Sequence, residues 1–207
     1  MSAAGGSAAR WGQELRAGAR RGPWRSLLSL LGVKAHTRRA DAQAAACDAG
    51  AAGEARTAAL LAPLEAAGWR VLHDRQIPGA RTANADHIVI TPAARVYVVD
   101  SKLWSARQNR VVHARGARLM HGQADRSRSV RSLLFETQLV ERALEWPVQA
   151  LMVIHNAQVA GGRFVVEGIP VLPAEMLVQA LVLNDGVRDP RALLLAERAG
   201  RVLPPYR

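Results

Sequence analysis

The chain has 207 residues, a length that suits one domain with extensions. Its 28 Lys and Arg residues against 17 Asp and Glu residues give a formal net charge of +11, which favours nucleic acid as a partner, ahead of an anionic membrane surface. The single cysteine, Cys47, excludes an intrachain disulfide and fits a reducing cytoplasm, and no apolar run approaches the ~20 residues of a membrane span, so no integral membrane association is expected.

Residues 1–38 are expected to form a basic arm, partly disordered, that precedes the folded domain. Seven basic residues stand in this segment against one acid, Glu14, and Trp and Leu residues are interleaved with them. One interpretation is an amphipathic arm for DNA or a membrane surface, and the other is a tail with a short helix that docks on the domain. We divide the rest of the chain into a domain over residues 39–185 and a C-terminal helix and tail over residues 186–207.

Hydrophobic periodicity predicts the elements that follow the arm. A first helix is expected over residues 40–67, with Pro63 kinking its last turn and Gly68 ending it. The later elements are strands over residues 69–77, 86–91 and 96–102, a hairpin over 111–120, a helix over 125–145, strands over 148–155, 164–167 and 169–172, and helices that begin at Pro173 and Pro190. This order predicts an α/β fold with a mixed central sheet flanked by helices.

An acid and a lysine stand two positions apart at the end of an apolar strand, in the sequence RVYVVDSK at residues 95–102. Side chains at i and i+2 of a strand share a face, so Asp100 and Lys102 are expected to point the same way. Asp86 begins the preceding apolar strand, and Glu54 lies on the first helix. Three carboxylates and a lysine placed in this way suit a magnesium-dependent phosphodiesterase, because carboxylates hold Mg²⁺ and the bound cation activates water.

Two glycines, Gly50 and Gly53, stand one turn apart within the first helix. In a helix interior each costs about 1 kcal/mol relative to alanine. Their presence in an alanine-rich stretch predicts a close approach of the sheet or of nucleic acid at this point.

Five segments, taken in order, resemble the nuclease-related domain (NERD) family of the PD-(D/E)XK superfamily of restriction endonuclease-like nucleases. They read GxxGE at residues 50–54, WxVLHD at 69–74, IPG at 77–79, NADHIVI at 84–90 and VVDSKLW at 98–104. The resemblance covers residues 45–155. It implies a restriction endonuclease-like αβββαβ core and nuclease activity.

The resemblance also implies a role for each residue of the acid-lysine set. Glu54, Asp86 and Asp100 would be catalytic metal ligands, the backbone carbonyl of Ser101 a further ligand, and Mg²⁺ (or Mn²⁺) the cofactor. Position 100 is usually glutamate in the family, and aspartate would place the metal nearer the strand. Lys102 beside two acids should stay charged, so it would orient water or stabilise charge rather than act as a general base.

Plainer interpretations of these residues stay open. Glu54 could be an exposed helix acid, Asp86 could cap a turn, and Asp100 with Lys102 could form an ordinary salt bridge. Two histidines, His73 and His87, are candidate phosphate or metal contacts, although isolated histidines are more often structural.

Weaker candidates for contacts with nucleic acid come from the helix over residues 125–145. Arg126, Arg128 and Arg131 could hold phosphates or form a solvated face, and Gln138 is a candidate to approach the site. Trp104, just past the lysine, could stack on a base but is more easily explained as a core residue.

The sequence therefore predicts a cytoplasmic, metal-dependent deoxyribonuclease with DNA as partner, with a homodimer as one open arrangement. DNA processing, repair and mobile-element biology are roles that fit such an enzyme. The alternatives are a catalytically inactive DNA-binding module of the same fold, and a membrane-surface or scaffold protein that acts through the basic arm.

Overall fold

The computed structural model describes residues 6, 10, 11, 13, 14, 35–80, 83–107 and 110–206. Most of the predicted basic arm lies outside these residues, so its role stays a prediction. None of the described helices is both long and apolar enough to cross a membrane.

Four α-helices and nine strands make up the described part of the chain from Ala35 onward. The helices are α1 (Ala35–Ala66), α2 (Ser127–Leu144), α3 (Leu177–Leu183) and α4 (Arg191–Val202). The strands are β1 (Arg70–Gln76), β2 (Asn84–Ile90), β3 (Val96–Leu103), β4 (Val112–Arg115), β5 (Arg118–His121), β6 (Ala124–Asp125), β7 (Val148–His155), β8 (Phe164–Val166) and β9 (Ile169–Pro173).

The central sheet has six strands in the order β1-β2-β3-β7-β9-β8. The pairs β1–β2, β2–β3 and β8–β9 are antiparallel, while β3–β7 and β7–β9 are parallel, so the sheet is mixed. Helices flank this sheet, and the αβββαβ order from α1 to β7 is the restriction endonuclease-like arrangement that the sequence predicts. The strands β4, β5 and β6 form a separate small sheet inserted between β3 and α2.

Each face of the central sheet carries its own apolar core. On one face, Ile88, Val98 and Met152 pack with residues of α2 and α4. On the other face, Val89 and Val99 pack with residues of α1 and α3. Because side chains alternate along a strand, Asp86, Asp100 and Lys102 belong to the face that α2 covers.

The structure differs from the sequence expectations in three local features. Helix α1 begins at Ala35 and continues through Pro63 to Ala66. The predicted hairpin has a third strand, β6, which is only two residues long and leaves no periodicity to detect. A 3₁₀ turn over Ala174–Met176 precedes α3, so the helix predicted from Pro173 opens with a tighter turn.

Gly53 allows α1 to approach β3 closely. This close approach is what the sequence predicts from the presence of a destabilising glycine inside a helix. A Cβ atom at this position would lie 3.2 Å from Cβ and 3.4 Å from the backbone nitrogen of Leu103. Both atoms are fixed to the strand, so they cannot move aside without shifting the backbone. The close approach is therefore to the sheet.

Replacing Gly53 with alanine is expected to destabilise the protein by about 1–3 kcal/mol, because overpacking exceeds the gain in helix propensity. A matched control is Gly200→Ala on α4, where a Cβ would meet no described atom within 4 Å. That change is expected to stabilise the protein by about 0.5–1 kcal/mol. Urea unfolding of both variants checks the opposite signs, and equal signs would contradict this account of α1.

Candidate active site

Asp100 and Lys102 lie side by side near the C-terminal end of β3. The Lys102 Nζ is 2.6 Å from the Asp100 Oδ1, and 26% of the Lys102 side chain and 11% of the Asp100 side chain are exposed. Burial lowers the pKa of Lys102, but the carboxylates of Asp100 and Asp86 raise it by more, so its pKa lies above the ordinary value. Lys102 is therefore a fixed positive charge beside the carboxylates of Asp100 and Asp86, and we call the group that these side chains form the acidic pocket.

Asp86 lies across from Asp100 on β2. The ladder between β2 and β3 pairs His87 with Val99, and the next pair in this register is Asp86 with Asp100. Instead of a main-chain carbonyl, the Oδ2 of Asp86 accepts a hydrogen bond from the Ser101 backbone N–H at 3.0 Å. Two carboxylates thus face each other on the α2 side of the sheet.

Burial and the neighbouring Asp100 raise the pKa of Asp86 to about 7. The Lys102 ammonium and the Ser101 N–H oppose this rise but do not cancel it. The Oδ2 of Asp100 is buried and accepts no hydrogen bond from the described residues. The ionised form of Asp86 is therefore less stable in the folded protein than it is in water.

Helix α2 contributes Glu136 to the same pocket, a residue that the sequence reasoning missed. Burial, followed by the charges of Asp100 and Asp86, raises the pKa of Glu136 to about 8. Glu136 follows Leu133 by three positions and precedes Val140 by four, so it lies on the inner side of an amphipathic helix. An acid at such a position was the signal available in the sequence.

Asp74 is a second acid that the sequence reasoning gave no role. It falls opposite Asp86 in the register of β1 and β2, is fully buried, and has a left-handed φ of 49°. Asn84 Nδ2 donates a hydrogen bond to its Oδ1 at 2.9 Å. Its charge adds to the rise in the pKa of Asp86.

On the opposite face of the sheet, a buried hydrogen-bond chain ties α1 to the strands of the site. The Ser101 Oγ donates to the Thr57 Oγ1 at 2.8 Å, and the Thr57 Oγ1 lies 2.7 Å from the His155 Nε2. This chain fixes Ser101, the residue between Asp100 and Lys102. It thereby couples the position of α1 to the backbone of the site.

Replacing Thr57 with valine is expected to destabilise the protein by about 1–3 kcal/mol, because buried partners on Ser101 and His155 lose their hydrogen bonds. Thr57→Ser keeps the hydroxyl and is expected to retain most of the stability. Denaturant unfolding of the two variants measures the difference. Equal stability of the valine and serine variants would show that the chain does not hold α1 in place.

Glu54 lies one turn before Thr57 on α1 and is 6% exposed, so the interpretation as an exposed helix acid is wrong. Because α1 packs on the face opposite Asp86 and Asp100, the helix that carries Glu54 lies on the other side of the sheet from these two acids. Its convergence with the other two acids stays a prediction.

The histidines His73 and His87 form a pair away from the acids. Their Nδ1 atoms are 2.8 Å apart, and His87 is fully buried on the face opposite Asp86. Burial, then the charges of His73 and His155, lowers the pKa of His87 to about 3. These features indicate a structural role.

The four residues predicted to contact nucleic acid, on α2 and just before it, lie in two separate places. Arg126, Arg128 and Arg131 are exposed in and before the first turns of α2. Gln138 lines a cleft of about 1230 Å³ beside the N-terminal half of β7, together with Tyr97 and Val148. The structure thus brings Glu136, and not Gln138, to the acidic pocket.

The donor atoms of the pocket suit a hard divalent cation. Asp86 and Asp100 supply oxygen ligands from adjacent strands, and Mg²⁺ keeps several waters, so two or three carboxylates suffice. Burial and, after it, repulsion between the acids raise the pKa values of Asp86 and Glu136, and the Asp100 Oδ2 is buried, so a bound cation would stabilise the ionised carboxylates. In the part of the chain that the structure describes, no group of three or more His, Cys, Asp and Glu side chains is already arranged to hold a metal.

Comparison with known proteins gives one match. The family described as nuclease-related domain matches residues 49–155, more than half of the chain. This range contains all the residues of the acid-lysine set, from Glu54 to Lys102, as well as the acids Asp74 and Glu136. No curated protein and no solved structure matches the chain.

Proposed function

Since the chain belongs to the nuclease-related domain family, we propose that it is a cytoplasmic, metal-dependent nuclease that hydrolyses DNA phosphodiester bonds. The observation that carries this proposal is the facing pair of Asp86 and Asp100 carboxylates with Lys102 beside them on one face of the sheet. The family supports a nuclease-related function, and the basic composition of the chain supports a polyanionic substrate.

Asp86 and Asp100 would hold the cation, with the Ser101 carbonyl and Glu54 as further ligands. Glu136 lies close enough to Asp86 and Asp100 for their charges to raise its pKa. A bound Mg²⁺ or Mn²⁺ supplies charge neutralisation at the phosphate and a water of lowered pKa. Lys102 is protonated and held by the Asp100 Oδ1, so it orients the attacking water or stabilises the negative charge that develops on the phosphate. The hydrogen bond from Ser101 to Asp86 keeps the second carboxylate aimed at the same point.

A cleavage assay tests the proposal. The purified protein is incubated with plasmid, linear duplex and single-stranded DNA, with Mg²⁺, with Mn²⁺ and with chelator. Metal-dependent cleavage of at least one substrate is the expected result. Absence of cleavage with either metal would favour an inactive DNA-binding module of the same fold.

A further inference from the structure

A stacked cluster lies directly beyond Lys102 along the chain. Trp104 stacks on His121 with ring centroids 5.3 Å apart and an angle of 16° between the planes. The guanidinium carbon of Arg126 lies over the Trp104 ring, 5.7 Å from its centroid. We call Trp104, His121 and Arg126 the Trp104 platform.

The platform is tied to the same strand as the acidic pocket. Trp104 follows β3 by one residue, its backbone N–H donates to the His155 carbonyl at 3.3 Å, and the His121 Nε2 lies 3.0 Å from the Ser105 carbonyl oxygen. Trp104 packs with the apolar core on the face that also carries Asp100 and Lys102. Two residues of a strand span about 7 Å, so the platform begins next to the pocket.

The segment that builds the platform is strongly basic. From Trp104 to Arg131 the chain has seven arginines and one acid, Asp125. Asp125 is engaged locally, since its Oδ1 accepts the Ser127 backbone N–H at 2.8 Å. Burial is the main cause of the lowered pKa of His121, and the positive charges of the nearby Arg126 and Arg110 lower it further.

Arg126 lies over an aromatic ring, and no carboxylate among the described residues forms an ion pair with it. A cation–π contact positions a guanidinium but leaves its five N–H donors able to bind other acceptors. Such an arrangement matches the oxygens of a phosphodiester, which arginine binds in a bidentate manner.

We propose that the Trp104 platform and the arginines around it grip the phosphate backbone of the DNA strand within a few nucleotides of the bond at the acidic pocket. This inference rests on the proposed function for the identity of the polyanion. Trp104 is already covered by His121 and approached by Arg126, so its ring serves to hold these side chains and not to stack on a base. The interaction is therefore independent of base sequence.

Binding in a chelator-containing buffer tests the platform without cleavage. The anisotropy of labelled single-stranded and duplex oligonucleotides is followed over a salt series for the wild type, Arg126→Ala and Arg126→Lys. Arg126→Ala is expected to weaken binding about tenfold at low salt, the order of one charge-assisted hydrogen bond. For each phosphate that the variant no longer binds, the slope of log affinity against log salt should become shallower by about 0.9 on duplex DNA, or about 0.7 on a single strand. Arg126→Lys should keep the slope.

Arg142→Ala is the matched control, because Arg142 is an exposed arginine in the last turn of the same helix. It is expected to change neither affinity nor slope by as much as Arg126→Ala. Equal effects of the two substitutions, or no DNA binding by the wild type, would overturn the proposal. Stronger Arg126-dependent binding to RNA or to anionic vesicles would overturn the assignment of DNA.

Cleavage in the presence of Mg²⁺ separates this proposal from the proposed function. If the protein cleaves DNA and Arg126→Ala binds as the wild type does, the platform is wrong and the nuclease assignment stands. If nothing is cleaved but Arg126→Ala loses affinity, the platform stands and the nuclease assignment fails. In an active enzyme, Arg126→Ala should raise KM and leave kcat nearly unchanged, since Arg126 contacts substrate away from the reacting bond.

Discussion

Asp86→Asn is expected to abolish metal-dependent cleavage while making the metal-free protein more stable. The loss of activity should exceed about a hundredfold, because even residues that only orient a metal ligand cost 10–100-fold when removed. Asparagine can still accept the Ser101 N–H through its side-chain oxygen, so the local backbone should be preserved. Cleavage kinetics with Mg²⁺ measure the first effect, and urea unfolding in chelator measures the second.

The gain in stability follows from the raised pKa of Asp86. A raised pKa means that the ionised carboxylate is less stable in the folded protein than in the unfolded chain. Ionisation therefore costs stability progressively as the pH rises from the ordinary pKa near 4 through the folded-state value of about 7. At pH 8 the variant should gain about 1 kcal/mol, well under the full shift because Asp86 is partly exposed. The gain should vanish near pH 4. Glu141→Gln, which changes an exposed acid of α2, should leave cleavage intact, and loss of cleavage there would place the site elsewhere.

Lys102→Met is expected to have the opposite effect on stability and the same effect on activity. Without the ammonium, Asp86, Asp100 and Glu136 lose their nearest positive charge. The metal-free protein should lose about 2 kcal/mol, less than the ~3–5 kcal/mol typical of a fully buried pair because 26% of the Lys102 side chain is exposed.

Added Mg²⁺ should restore part of this stability, since a bound ligand stabilises the folded state and a cation replaces the missing charge. Thermal unfolding with and without Mg²⁺ measures the recovery, and Lys102→Arg, which keeps the charge, is the control. A Lys102→Met variant as stable in chelator as the wild type would show that the lysine does not balance the acids.

The positions that the sequence predicted best are those set by strand geometry. The two-residue spacing of Asp100 and Lys102 fixes a shared face, and the apolar runs around them fix which strands are central. The structure confirms that Asp100 and Lys102 share a face and that the sheet is mixed. These features depend on residues that are close together in the chain.

The positions that the sequence did not predict depend on how separate elements pack. The choice between Glu136 and Gln138 is a matter of helix phase, since two positions along a helix differ by about 200° around its axis. Asp74 matters because the register of β1 places it opposite Asp86, and register is not readable from one strand alone. The side of the sheet on which Glu54 lies follows from the packing of α1, which Gly53 permits.

The hydrogen bond from the Ser101 amide to the Asp86 carboxylate has a consequence for amide hydrogen exchange. The amides on either side of Ser101 lie in the main-chain ladder with β7, whereas the Ser101 amide donates to a side chain that would also hold the cation. Its exchange rate therefore records the position of the Asp86 carboxylate, while the amides on either side record the opening of the sheet. A ligand that draws the carboxylate away would change the exchange of Ser101 alone, so a single backbone proton can report on the site without any chemical turnover.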